Sequence, residues 1–262
     1  MVVISAIIVM SILGVVLGVV LGYFSKKFFV KVDERIEKVT EMLPGVNCGT
    51  CGYGGCASLA EAIVLNNEEP SLCAPGGPEN AIKIASFLGR EAKVHARKSA
   101  MIFCKGSIQD SPLKYEYKGT QDCKFAMQLH GGSRQCSYGC IGLLNCTRVC
   151  PVGAIFVGKN GLPVVDRTKC ISCGKCVKEC PKKIIRIVPF DNKVHVVCSS
   201  KDSGAVTNKT CKVGCIACQL CVKACPTKAM SVEDNLARVD YMKCICCGKC
   251  KEVCPKKVIV KQ

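Results

Sequence analysis

Hydrophobic and polar positions change regime several times along the chain. From Val2 to Phe24 no charged residue occurs, in the run VVISAIIVMSILGVVLGVVLGYF. As a helix, these 23 residues are long enough to cross a hydrocarbon core of roughly 30 Å. A secretory signal would need a basic stretch ahead of a shorter apolar run and a small-residue cleavage site. Here Met1 precedes the run and Lys26 and Lys27 follow it, so a retained membrane helix is expected. Lys26, Lys27 and Lys31 then put its C-terminal side in the cytoplasm by the positive-inside rule. Gly14, Gly18 and Gly22 recur every fourth residue, a smooth stripe suited to another membrane helix.

After the apolar run the period changes. Residues 25–43 alternate charged and apolar side chains at helical spacing and predict an amphipathic connector ending at Pro44-Gly45. Residues 78–98 predict a helix begun by Pro78. Residues 101–135 show no period and predict an irregular segment. Two hairpins follow, IFVG-KNG-LPVV turning at Asn160-Gly161 and MSV-EDN-LARV turning around Asn235. They occupy equivalent places in an internal duplication spanning 136–262.

Cysteine changes the picture. It supplies 25 of the 262 residues and inflates the apolar fraction of 49 %. Without it the aliphatic and aromatic content is modest, so something besides an apolar core holds the chain together: disulfides, zinc or iron–sulfur clusters. Charged residues are 22 %, too few for a disordered chain with patterned cysteines. A cytoplasmic location disfavours disulfides.

The spacing chooses among the rest. Cys170-x2-Cys173-x2-Cys176-x3-Cys180-Pro181 and Cys244-x2-Cys247-x2-Cys250-x3-Cys254-Pro255 follow the bacterial ferredoxin pattern. Ahead of them stand Cys136-x3-Cys140-x5-Cys146-x3-Cys150-Pro151 and Cys211-x3-Cys215-x2-Cys218-x2-Cys221-x3-Cys225-Pro226. Three closely spaced thiolates wind around one corner of a [4Fe–4S] cubane. The fourth, before Pro, starts a helix leading away and serves the neighbouring cluster. Zinc sites pair two CxxC elements across a loop and give no reason for triplets followed by Cys-Pro.

The crossed ligation predicts one cluster on Cys215, Cys218, Cys221 and Cys254 and another on Cys244, Cys247, Cys250 and Cys225. In the first unit Cys170, Cys173, Cys176 and Cys150 form a regular set. Its companion has Cys140, Cys146 and Cys180, with Leu143 where a cysteine is expected. Cys136 is the nearest replacement; a three-iron cluster or a non-cysteine ligand is the alternative. A fifth set is Cys48, Cys51, Cys56 and Cys73, with glycines between that let the backbone fold tightly. Cys246 reads as a bystander. Cys104, Cys123, Cys198 and Cys211 remain as a possible sixth cluster or as buried free thiols.

Lys and Arg exceed Asp and Glu by 17. An oxidised cubane with four thiolates carries about −2, so five or six bring the loaded chain to roughly +5 to +7. The lysines around the motifs (Lys169, Lys175, Lys178, Lys182, Lys183; Lys243, Lys249, Lys251, Lys256, Lys257) read as compensation for these clusters. No aromatic residues interleave with them, so no nucleic acid is expected as a partner. A residual positive face suits an acidic redox partner. His95, His130 and His195 are isolated, and no dinucleotide fingerprint or phosphate loop occurs, so no catalytic residue is predicted.

The sequence therefore predicts an α+β protein in five parts: a transmembrane anchor (1–25), an N-terminal [4Fe–4S] domain with helices (26–98), an irregular cysteine-containing connector (99–135) and two ferredoxin-like units (136–197 and 198–262). An apolar anchor followed by LPGVNCGTCGYGGC…CAPGG and then repeated ferredoxin motifs resembles the B subunit of the Rnf complex, the ion-translocating ferredoxin:NAD+ oxidoreductase. Residues 101–150, with IFCKGS, YEYKGTQDC and CSYGCIGLLNC, resemble the longer form found in anaerobic bacteria. The resemblance implies a subunit of a cell-membrane translocase that accepts electrons from reduced soluble ferredoxin and passes them to membrane and flavin subunits. Another subunit would ultimately reduce NAD+, and the exergonic transfer would drive Na+ or H+ outward. The Cys48–Cys73 cluster would be the exit toward the membrane. Two other readings remain: a polyferredoxin-type subunit of another membrane oxidoreductase, such as a hydrogenase, and a regulatory module whose clusters are structural or sense oxygen.

Overall fold

The computed structural model of the chain describes residues 2–28, 33–91 and 96–262. Lys31, counted above toward orientation, and His95 lie outside the described residues. Helix α1 (Val2–Lys27) carries the apolar run, and Ile7–Lys27 has a mean hydropathy of 2.6. Its described large apolar side chains are exposed, which suits lipid better than water. By length and composition it can cross a bilayer.

Three helices form the next body. Helix α2 (Glu34–Met42) is started by Asp33, whose carboxylate accepts from the Arg35 amide at 2.9 Å. Helices α3 (Cys56–Leu65) and α4 (Gly77–Phe87) pack with it around Val39, Leu59, Ile63 and Ile84, all fully buried. The helix expected over 78–98 is shorter. Gly89, at φ +66°, ends it, and Lys98 already belongs to a strand.

That strand, β1 (Lys98–Ile102), pairs antiparallel with β4 (Ile185–Pro189), Ile102 opposite Ile185. The second half repeats the arrangement with β5 (Val194–Val196) against β8 (Ile259–Lys261). Between these lie the expected hairpins, β2 (Ile155–Val157) with β3 (Pro163–Val165), and β6 (Met230–Glu233) with β7 (Leu236–Val239). Asp234 and Asn235 turn the second hairpin in left-handed conformations, φ 50° and 58°, matching its twist. The region 101–135 is less irregular than expected: β1 reaches into it, and helix α5 (Cys123–Gln128) is capped by Asp122.

Short helices α6 (Asn145–Arg148), α7 (Lys175–Glu179), α9 (Leu220–Lys223) and α10 (Lys249–Glu252) precede the Cys-Pro pairs; α8 (Gly204–Thr210) lies between the halves. Among the described residues no helix follows the prolines of these four pairs, against expectation. After each pair the chain closes a turn, Gly153, Lys183, Lys228 and Lys257 donating to the carbonyls of Cys150, Cys180, Cys225 and Cys254 at 3.1–3.3 Å. All four residues are left-handed, which sends the chain into a strand.

Candidate iron–sulfur sites

The loops between cysteines share one backbone device. Each holds two residues at positive φ: Gly142 and Leu144, Ser172 and Gly174, Ala217 and Gln219, Cys246 and Gly248. Two left-handed steps curl the chain tightly, which is how closely spaced thiols come to face one centre. Cys246 occupies a spacer position in this curl. Its sulfur accepts from the Lys193 amide at 3.3 Å and lies 3.6 Å from Asn192 Oδ1.

All 25 cysteines are free, and apart from Cys246 they gather in fours. Burial, then neighbouring Cys56, Cys48 and Cys51, push the Cys73 thiol up despite an amide hydrogen bond from Gly76. Burial and the thiols of Cys170, Cys173, Cys146 and Cys150 raise Cys176 to about 12. Burial and Cys215, Cys218, Cys254 and Cys250 raise Cys221 to about 11. Cys250 is raised by burial and by Cys225, Cys244 and Cys247. These thiols hold their protons in the unloaded chain, so metal loading must displace them.

Two residues exchange places relative to the sequence expectation. Cys123, not Cys136, stands with Cys140, Cys146 and Cys180, and these four line one cavity. Burial, then Cys180 and Cys123, raise the Cys146 thiol to about 12. Helix α5 explains the exchange. Asn145, 4 % exposed, accepts the Cys123 amide at 2.9 Å and donates to Asp122 at 2.8 Å and Glu179 at 2.9 Å. This pins the start of α5 beside Leu143, so a cysteine twenty residues away in sequence fills the gap that Leu143 leaves. Cys136 faces the other way. Its amide is held by Ser111 Oγ at 3.2 Å, and it shares a cavity with Cys104, Cys198 and Cys211. Spacing could not find Cys123, because nothing local ties it to Cys140.

The donor sets fit iron–sulfur cubanes. Backbone amides reach sulfur throughout: Ala154 to Cys150 at 3.2 Å, Ala100 to Cys170 at 3.3 Å, Ala229 to Cys225 at 3.3 Å and Ala237 to Cys215 at 3.5 Å. Such bonds stabilise thiolate and tune a cluster. Among the described residues no three His, Cys, Asp or Glu side chains close on a single metal ion. Zinc, with Zn–S near 2.3 Å, would draw its four thiolates that close; a cubane holds its thiolates on separate irons.

The groups also touch in sequence. Cys48 lies near Cys173, and Thr50 Oγ1 donates to the Cys173 carbonyl at 2.6 Å. Cys146 lies near Cys176 and Cys250 near Cys221. Cys140 N–H donates to Cys104 Sγ at 3.3 Å, and Cys215 N–H to Cys198 Sγ at 3.4 Å.

Comparison with known proteins assigns the same stretches to iron–sulfur families. Residues 43–75 match the family described as a putative Fe-S cluster. Residues 134–185, and 169–229 with 214–258, match two families described as 4Fe-4S dicluster domains. The chain is 42 % identical over 90 % of its length to the B subunit of the Na(+)-translocating ferredoxin:NAD(+) oxidoreductase complex of Acetobacterium woodii, covering 71 % of that protein. It is 40 % identical over 91 % of its length to the proton-translocating counterpart of Clostridium ljungdahlii, covering 84 % of it. The chain belongs to the family of Rnf-complex B subunits. Within that family it aligns with the Shigella dysenteriae member over only 61 % of its own length, at 34 % identity.

Proposed function

We propose that this chain is the iron–sulfur electron-transfer subunit of an ion-translocating ferredoxin:NAD+ oxidoreductase. It takes electrons from reduced soluble ferredoxin on the cytoplasmic side and relays them toward membrane and flavin subunits. Its ligand sets are Cys48, Cys51, Cys56 and Cys73; Cys150, Cys170, Cys173 and Cys176; Cys123, Cys140, Cys146 and Cys180; Cys215, Cys218, Cys221 and Cys254; and Cys225, Cys244, Cys247 and Cys250. The observation that carries the reading is the contact between successive groups, down to Thr50 on the Cys173 carbonyl. When bound, each [4Fe–4S] cluster accepts and passes one electron at a time. The chain contributes thiols, amides that favour the negative charge, and walls that exclude water. α1 tethers this relay to the bilayer, and the Cys48–Cys73 group, nearest α1 in sequence, is the exit.

The test is reduction of anaerobically loaded, full-length protein by substoichiometric reduced ferredoxin. Several electrons should be taken up reversibly, with bleaching of the iron–sulfur absorbance. Cys56→Ala should block onward transfer to the membrane subunits within the complex and leave reduction of the other clusters intact. Loss of both together would refute this exit.

A further inference from the structure

The geometry points to a sixth cluster, held by Cys104, Cys136, Cys198 and Cys211, that joins the two ferredoxin units and carries electrons between them. This rests on the relay reading above and deepens it.

The four thiols are two equivalent pairs. Cys104 follows β1 and Cys198 follows β5, and these strands play the same part in their halves. Cys136 precedes Cys140 by four residues, as Cys211 precedes Cys215. The surroundings repeat as well. The amides of Cys140 and Cys215 donate to Cys104 and Cys198 at 3.3 and 3.4 Å. The amides of Gly139 and Gly214 donate to the carbonyls of Cys136 and Cys211 at 3.2 and 3.3 Å. Each half therefore brings one thiol from a strand end and one from a tight turn to a shared centre. The duplication begins at the strands β1 and β5, ahead of the ferredoxin motifs.

The halves meet closely at this centre. A methyl group on Gly106, from the first half, would stand 3.0 Å from Cys211 Sγ of the second. Cys104, Cys136, Cys198 and Cys211 line one cavity between them. The wall also holds a cation. Arg134 is 6 % exposed, donates to the carbonyls of Gly106 and Ser111 at 3.4 and 3.5 Å, and leaves Nε without a partner. A buried guanidinium satisfied only by carbonyls is costly unless an anion stands nearby. A four-thiolate cluster of charge about −2 is that anion. Neutral thiols would leave the Arg134 side chain with these two carbonyls as its hydrogen-bond partners.

The position gives the site its use. Its thiols contact Cys140 on one side and Cys215 on the other, so it stands between the Cys140 and Cys215 groups. An electron leaving one of those groups reduces the bridging centre by one, which the other reoxidises by one.

The experiment uses full-length protein purified anaerobically, with iron and sulfide counted per chain. Wild type should carry about 24 Fe, and Cys104→Ala, Cys198→Ala and their double variant about 20 each, because one site is lost once. Cys123→Ala combined with Cys198→Ala should fall to about 16, since those residues serve different sites. About 20 Fe in wild type would overturn the sixth site, whether or not any variant folds. An unchanged count in Cys198→Ala would do the same. Loss of only one cluster's iron in the Cys123/Cys198 pair would overturn the ligand set. Absence of iron and sulfide throughout would refute the iron–sulfur reading itself. Reduction by ferredoxin should proceed in one phase in wild type and split in the Cys104/Cys198 variant, one unit lagging at least tenfold. A single unaltered phase there would remove the bridging role.

Discussion

The two ferredoxin units share one frame and fill it by different means. In the second unit, both sets of four thiols come from two local runs, Cys215–Cys225 and Cys244–Cys254. In the first, Leu143 breaks the run, and Cys123 arrives on the inserted helix α5. The second unit thus depends on loop geometry alone, whereas the first depends on packing that holds an insertion in register. The curl of two left-handed residues is kept at Gly142 and Leu144 although the cysteine between them is gone. The frame therefore survives loss of a ligand, and the missing thiol need only approach from outside.

The largest expected effect is that of iron removal. The core of each unit is walled partly by its cysteines, Cys146 and Cys176 in one and Cys215, Cys221 and Cys250 in the other. Stripping iron with a chelator should collapse both units, because metal binding and folding are coupled in such sites. The three-helix body around Leu59 and Ile63 should outlast them, having an apolar core of its own. Hydrogen exchange read on β4, β8 and α3 during chelation checks this. Exchange in β4 should lead, since α5 has the weaker hold on its thiol; simultaneous loss of β4 and β8 would erase the contrast between the units.

Next is Asn145, which holds Cys123 in place. Asn145→Ala leaves the Cys123 amide and Asp122 without their buried partner and should cost about 2–3 kcal/mol. It should also remove the iron of one cluster, about 4 Fe per chain. The equivalent residue of the second unit, Leu220, is 43 % exposed and caps nothing. Leu220→Ala should keep all its iron and change stability by less than about 1 kcal/mol. Equal effects at the two positions, by iron assay and thermal melting, would contradict the dependence on α5.

This contrast also explains what the sequence could tell. The apolar anchor, both hairpins and four thiol groups were legible, because turn residues and short spacings are local chemistry. The Cys123–Cys136 exchange was not, because it depends on Asn145, Asp122 and Glu179 meeting across the fold. The pattern puts the end of α4 too late, because charged residues beyond Gly89 keep a helical spacing after the backbone has turned. The strand β1 carries no periodic signal, because KSAMI is short and buried at four of its five positions, so it lacks alternation.

A third difference lies where the units face each other. Arg167 and Tyr241 occupy matching places, three residues before Cys170 and Cys244, and both reach His195. Arg167 donates to His195 Nε2 at 3.2 Å, so the ring proton sits on Nδ1, toward the Tyr241 hydroxyl at 3.0 Å. Burial, then the Arg167 charge, lowers the His195 pKa to about 4 from its ordinary 6.5. The folded state therefore disfavours the proton that the unfolded state accepts. This contribution is fully present above about pH 6.5 and is lost as pH falls toward 4, in all about 3 kcal/mol. Unfolding measured from pH 7 to pH 4.5 should show a steeper decline in wild type than in His195→Gln. Parallel curves would mean that this contact is insensitive to protonation.

The smallest expected effect concerns why the N-terminal domain sits on the first unit. The Cys173 carbonyl accepts Thr50 Oγ1 at 2.6 Å. Its counterpart in the second unit, Cys247, is exposed, and its carbonyl is taken by Lys261 Nζ at 3.2 Å. The second unit has thus filled with its own lysine the acceptor that the first offers to its neighbour. Thr50→Val keeps the shape and removes the hydroxyl, so docking should weaken by about 1 kcal/mol. Transfer from the Cys173 group to the Cys48 group, followed by rapid-freeze spectroscopy of the loaded chain, should slow by less than about tenfold, the factor that 1.4 kcal/mol represents. Reduction of the second unit should be unaffected. A loss of a hundredfold or more would mean that the hydrogen bond itself conducts the electron, whereas proximity of the two thiol groups requires only that the domains stay together.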